Sequence, residues 1–174
     1  MPSPVMCRSR TVRDYAEQQN ELEPSEADHK PMNLVVTKII PASPERLFAA
    51  WTEPEQLKQW WGPESVTCIE AEVDLRVGGY YRIGNRFPDG SVVWITGRFH
   101  LIDAPRKLVY SWHVGATAEE ELVTVSFAPT LDGQTKVTVI HERIPDEPTR
   151  TRHQLGWIEC LGKLTVHMKY GSRL

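Results

Sequence analysis

The feature that most limits the fold of this chain is a single long amphipathic helix placed after a run of short strands. Between Glu147 and Tyr170, residues Trp157, Ile158, Leu161, Leu164 and Met168 fall at i, i+1, i+4, i+7 and i+11, which makes one broad apolar face. Asp146 is a helix N-cap, Pro148 suits the first turn and Gly171 ends the pattern. At 1.5 Å per residue such a helix runs roughly 35 Å, enough to cross a whole sheet. No other segment is long enough to cover one.

The residues before it predict what the helix covers. Asn33–Pro41 is rich in β-branched residues and predicts a strand that Pro41 stops. Ser43, Pro44 and Glu45 are start signals for a helix to about Thr52, and Pro54 opens a second short helix over Glu55–Trp61, closed by Gly62-Pro63. Strands then follow over Val66–Asp74, Tyr80–Gly84, Ser91–Ile102, Leu108–Val114, Leu122–Ala128 and Lys136–Glu142. Their connections, such as Pro88-Asp89-Gly90 and Leu131-Asp132-Gly133, are short turns, so the strands form an antiparallel meander. Gly97 inside the longest strand marks a bend or bulge, and Gly115–Glu121 reads as a polar loop. The sheet cannot leave its apolar face in water. The expected fold is therefore α+β: a curved seven-strand antiparallel sheet wrapped around the long C-terminal helix, with two short helices after the first strand. A twisted sheet curled around a helix rarely fills the gap between them, so an internal apolar cavity is expected.

Residues 1–31 differ from the rest. Pro2, Pro4, Pro24 and Pro31 interrupt them, acidic residues crowd their second half, and few apolar side chains could offset the entropy of ordering them. They are expected to be a flexible tail before a ligand-binding domain of residues 32–174, with Met32 as an alternative start.

A net charge of −3 speaks against a nucleic-acid binder, and no stretch approaches the length of a membrane span. Cys7, Cys68 and Cys160 are odd in number and far apart, which predicts reduced thiols and a cytoplasmic protein. No phosphate loop, nucleophile elbow or zinc-protease motif occurs, and no cofactor is expected. His153, Cys160 and His167 form a stripe on the long helix, but steps of about 10.5 Å along the axis are too long for them to share one metal ion.

Binding residues follow from strand parity and aromatic content. Trp61, Tyr81, Trp94, Tyr110, Trp112, Phe127 and Trp157 are expected around the cavity, with Leu161 from the helix face. His141 shares a face with Val137 and Val139. It is either a hydrogen-bonded core histidine or a polar anchor for ligand. Asp74 reads as a turn-capping carboxylate.

One ordered series of motifs carries a family resemblance. It runs from Pro44-Glu45-Arg46-Leu47-Phe48-Ala49-Ala50-Trp51-Thr52 through Pro54-Glu55-Gln56-Leu57 and Trp60-Trp61-Gly62-Pro63. It continues through Asp74-Leu75-Arg76-Val77-Gly78-Gly79-Tyr80-Tyr81, Pro105-Arg106-Lys107-Leu108-Val109-Tyr110-Ser111-Trp112 and Gly156-Trp157. Together these resemble the activator of Hsp90 ATPase homologue-like family, within the superfamily that holds the START lipid-transfer domains and the birch pollen allergen. The resemblance implies a helix-grip fold and a link to stress response. Three functions then compete. The first is a carrier of a small apolar, lipid-like or polyketide-like ligand. The second is a cyclase- or hydrolase-type enzyme with His141 as base and Tyr110 as donor, excluded if an inward Val or Leu separates them. The third is a regulator with a chaperone ATPase as its partner.

Overall fold

The structure is a computed structural model, and it describes residues 30–116 and 120–171. Residues 1–29 of the expected tail lie outside the described residues. Seven strands appear in chain order: β1 (Met32–Ile40), β2 (Thr67–Val73), β3 (Tyr80–Arg86), β4 (Val92–Asp103), β5 (Lys107–Val114), β6 (Glu121–Pro129) and β7 (Thr135–Ile144). Helices α1 (Pro44–Thr52) and α2 (Pro54–Trp60) separate β1 from β2, and α3 (Glu147–Tyr170) closes the chain.

The strands form one antiparallel sheet in the order β1-β7-β6-β5-β4-β3-β2. Only β1 leaves the sequential meander, pairing with the last strand. The α+β helix-grip architecture expected from the sequence is the one observed. Local chemistry explains its boundaries. The Ser43 side chain accepts the Arg46 amide at 3.3 Å, and Asp146 accepts the Thr149 amide at 2.7 Å, so both N-caps satisfy otherwise orphaned donors. Gly62 and Gly90 adopt φ of +94° and +86° at the end of α2 and in the turn between β3 and β4, positions where a side chain would be strained.

The core lies between the inner sheet face and the helices. β6 alternates strictly, with Glu121, Val123, Val125 and Phe127 buried, and β7 buries Val137, Val139 and His141. Trp157, Cys160, Leu161, Leu164 and Met168 of α3 are buried, whereas Ile158 is half exposed and lies at the margin of the predicted face. The Lys163 ammonium grips the loop after α2, donating to the carbonyls of Trp61, Pro63 and Val66 at 3.4, 3.3 and 3.1 Å. That clamp fixes the Trp61-Gly62-Pro63 wall against α3. In β7, Glu142 and Arg143 fall between the pairs Leu34↔His141 and Met32↔Ile144, a bulge in which Arg143 takes φ of +63°.

Candidate functional site

Two spaces open between sheet and helices. One, of about 20 Å³, is lined by Trp51, Leu57, Trp61, Val73, Tyr81, Ile83, Phe99 and Tyr110. The other, of about 200 Å³, lies between the β3–β5 side of the sheet and the first half of α3. Its walls are Trp61, Pro63, Phe87, Val93, Ile95, Trp112, Val114, Trp157 and Cys160, with Asn85, Arg152 and His153 as polar contributors. An engineered apolar cavity of about 150 Å³ is known to hold benzene, so the larger space suits a molecule of one or two rings.

The predicted site residues divide between these places. Trp61, Trp112 and Trp157 border the larger cavity, and Tyr81, Tyr110 and again Trp61 border the smaller. Phe127 and Leu161 are fully buried in the packed core and line neither; Phe127 stacks edge-on to Trp51 and Phe48. Trp94 is a correction. Ile95, Gly97 and Phe99 are the buried, inward residues of β4, so parity puts Trp94 on the opposite face. There it covers Gly84 and lies under the Arg82 guanidinium at 4.3 Å.

His141 is fully buried and faces inward, as its parity predicts. Pairing it with Tyr110 as base and donor fails on register. Tyr110 pairs with Val123, and Val123 pairs with His141, so a fully buried valine stands between them. The phenols serve the core instead. Tyr81 Oη donates to the Ser111 carbonyl at 2.8 Å, and Tyr110 Oη accepts from Trp51 Nε1 at 3.2 Å. Burial raises both well above the usual phenol range. Burial also pushes the Cys160 thiol up to about 12, which keeps it from acting as a thiolate nucleophile.

The structure assembles a polar group that the sequence reading passed over. Glu121, placed by that reading at the end of a loop, opens β6 with the inward parity of Val123 and Val125. Its Oε2 lies 2.7 Å from His141 Nε2 and 3.0 Å from His153 Nε2. The two imidazoles stack at 4.5 Å with 16° between their planes. The contacts are electrostatic, and none of the three atoms makes an aligned hydrogen bond. Burial alone would raise the Glu121 carboxyl; the two imidazoles outweigh it and hold it at about 2. Burial also lowers His141, the Glu121 carboxylate opposing this and His153 adding to it.

These three residues bring ligand atoms within 4.8 Å of one another, the spacing of a metal site. Their chemistry does not fit one. Trp157 Nε1 donates to His141 Nδ1 at 3.1 Å, and an indole N–H can only donate. The proton of neutral His141 therefore sits on Nε2, the atom a metal would need. Stacked rings also send their in-plane lone pairs side by side, where a metal requires convergence.

Comparison with known proteins decides the family. The profile described as "Activator of Hsp90 ATPase homolog 1-like protein" matches residues 41–169, well over half of the chain. The chain belongs to that family. Its fold is similar to that of a protein of Chromobacterium violaceum, 27% identical, with 78% of this chain and 96% of that chain covered and a TM-score of 0.71. It is also similar to an AHSA1 protein of Silicibacter pomeroyi, 23% identical over 79% and 98% of the two chains, with a TM-score of 0.71. A third similar structure, from Plasmodium falciparum, is described as an HSP90 activator; it is 27% identical over 80% and 97%, with a TM-score of 0.62. No match was found among curated proteins. None of the described helices is long and apolar enough to cross a membrane.

Proposed function

We propose that this AHSA1-like chain binds and carries a small, flat, apolar molecule in the cavity between β3–β5 and α3. The carrying observation is the cavity of about 200 Å³ walled by Trp61, Trp112 and Trp157 and bordered by the polar side chains of Asn85, Arg152 and His153. Its size favours a ring compound over a long acyl chain, whose bulk exceeds it. Cys68 and Cys160 are free thiols, in keeping with a cytoplasmic setting. The test is calorimetric titration and thermal shift with naphthalene, with palmitate as the contrast. Naphthalene is expected to bind and raise Tm, and Val114→Trp, which fills the space, is expected to abolish binding without unfolding the protein. Absence of any Tm shift at saturating naphthalene overturns the reading.

A second reading is regulation of a chaperone ATPase. It is supported by the family and by the Plasmodium neighbour's description. Hsp90 ATPase rates with and without this protein test it; an unchanged rate and no co-sedimentation reject it.

A further inference from the structure

Two side chains at the wall of the larger cavity, Trp112 and His153, offer a donor and an acceptor, and Asn85 Oδ1 is a further buried acceptor there. Trp112 Nε1 is a buried donor that has no acceptor among the described residues. Trp112 is 6% exposed and borders the cavity. His153, from α3, borders the same space, its ring edge-to-face with Trp112 at 6.1 Å between centroids. Its Nε2 lies 3.0 Å from the Glu121 carboxylate, which favours the tautomer with the proton on that nitrogen. Nδ1 is then left as the acceptor of a side chain that is 15% exposed at the cavity wall.

One ligand oxygen can satisfy both atoms only if it gives a proton and accepts one. A hydroxyl does both; a carbonyl, ether or carboxylate accepts only and leaves one protein atom orphaned. The flat, tryptophan-walled space calls for a planar body on that hydroxyl.

We propose that the cavity selects a phenol or enol whose hydroxyl lies between Trp112 Nε1 and His153 Nδ1, and that His153 takes its proton. The proposal rests on the cavity being a ligand site. The O–H bond breaks, its electron pair stays on oxygen as phenolate or enolate, and the proton forms a new bond to His153 Nδ1. No other reactant is needed. The imidazolium then lies between the ligand anion and the Glu121 carboxylate. Glu121 from β6 and His141 from β7 face His153, Arg152 stands beside it on α3, and β3 offers the uncharged Asn85. Arg152 adds positive charge at the wall where the ligand anion forms. His141 does not compete for the proton, because its Nδ1 already accepts from Trp157. Glu121 acts through His153 and is a positioning residue.

The test compares 4-nitrophenol with 4-nitroanisole, its methyl ether, in the full-length protein below the phenol's solution pKa. Binding is read by calorimetry and ionisation by the phenolate absorption band. The expected result is about tenfold tighter binding of the phenol, the scale of one charge-assisted hydrogen bond, with the phenolate band appearing on binding. His153→Gln should remove the band and bring the phenol to the affinity that the ether has for the same variant. Glu121→Gln should weaken the band and leave ether binding unchanged. Equal binding of phenol and ether to the wild type, with no phenolate band, overturns the proposal and leaves the carrier reading intact. Failure of both probes to bind overturns both. The wild-type comparison stands even if a variant fails to fold.

Discussion

The two ends of the space between sheet and helices are built from the same kinds of side chain, yet one is filled and the other hollow. At the filled end Tyr81, Phe99 and Tyr110 pack within 5.3–6.0 Å of one another around a gap of about 20 Å³. Both phenols there have partners inside the protein. At the hollow end Trp61, Trp112 and Trp157 surround about 200 Å³, and Trp112 Nε1 and Asn85 Oδ1 have none. Aromatic content therefore does not separate the two ends. What separates them is polar capacity left over after packing is complete.

The sharpest way to break that contrast is to add one methyl group at each end. A Cβ on Gly97, beside Tyr81, would meet the Ser111 carbonyl oxygen at 1.9 Å and Tyr81 Cε1 at 2.7 Å. Gly97→Ala is expected to cost about 3 kcal/mol or more, or to prevent folding, as read by urea denaturation. A loss below about 1 kcal/mol would show the filled end to be loosely packed.

Next in size is the link between the two ends of the polar group. Trp157→Phe keeps an aromatic ring, though a smaller one, but leaves the buried His141 Nδ1 without its donor. It should cost about 1–3 kcal/mol, and it should weaken binding at the hollow end more than packing at the filled one. Equal stability of wild type and variant would mean that the indole N–H does not hold the His141 tautomer.

Acid should weaken the hollow end first. His141 titrates below its ordinary value in the folded protein, so the unfolded chain binds the proton more readily and stability falls as pH drops through about 6.5. Glu121 is held at about 2 against an ordinary 4.5, so its contribution is present above 4.5 and is lost between 4.5 and about 2. The Tm profile should therefore decline in two stages on acidification, and Glu121→Gln should erase the second. A flat profile in that variant and the wild type alike would remove the carboxylate from the account.

The smallest effect has the opposite sign. A Cβ on Gly156, at the hollow end of α3, meets only Pro63 Cγ at 3.7 Å. Gly156→Ala should stabilise by about 0.5–1 kcal/mol through helix propensity, while trimming the cavity and weakening naphthalene binding.

Much of the fold was legible because its signals are local. Ser43, Pro44 and Asp146 cap where they were expected to, Pro88-Asp89-Gly90 turns the chain, and parity aimed His141 inward. Trp94 misled because aromatic character was weighed above alternation: Ile95 and Phe99 already claimed the inner face of β4. Glu121 was missed for a related reason. It sits at inward parity two residues before Val123, a signal that was available, but an acidic residue beside a polar loop reads as solvated. Its meaning depends on the β6–β7 register and on the fall of α3 across it, which bring His141 and His153 to one oxygen. No spacing in the chain encodes that meeting.

The chain of indoles has an optical consequence. Trp51, Trp60, Trp61, Trp112 and Trp157 lie within 4.9–6.1 Å of a neighbour, with Trp51 and Trp157 parallel to within 16°. Light absorbed by any one of them will migrate through the group before it is emitted. A single quenching molecule seated against Trp112 should then darken all five, leaving Trp94 on the outer face as a separate emitter. The protein would carry its own gauge of occupancy at the Trp112 wall.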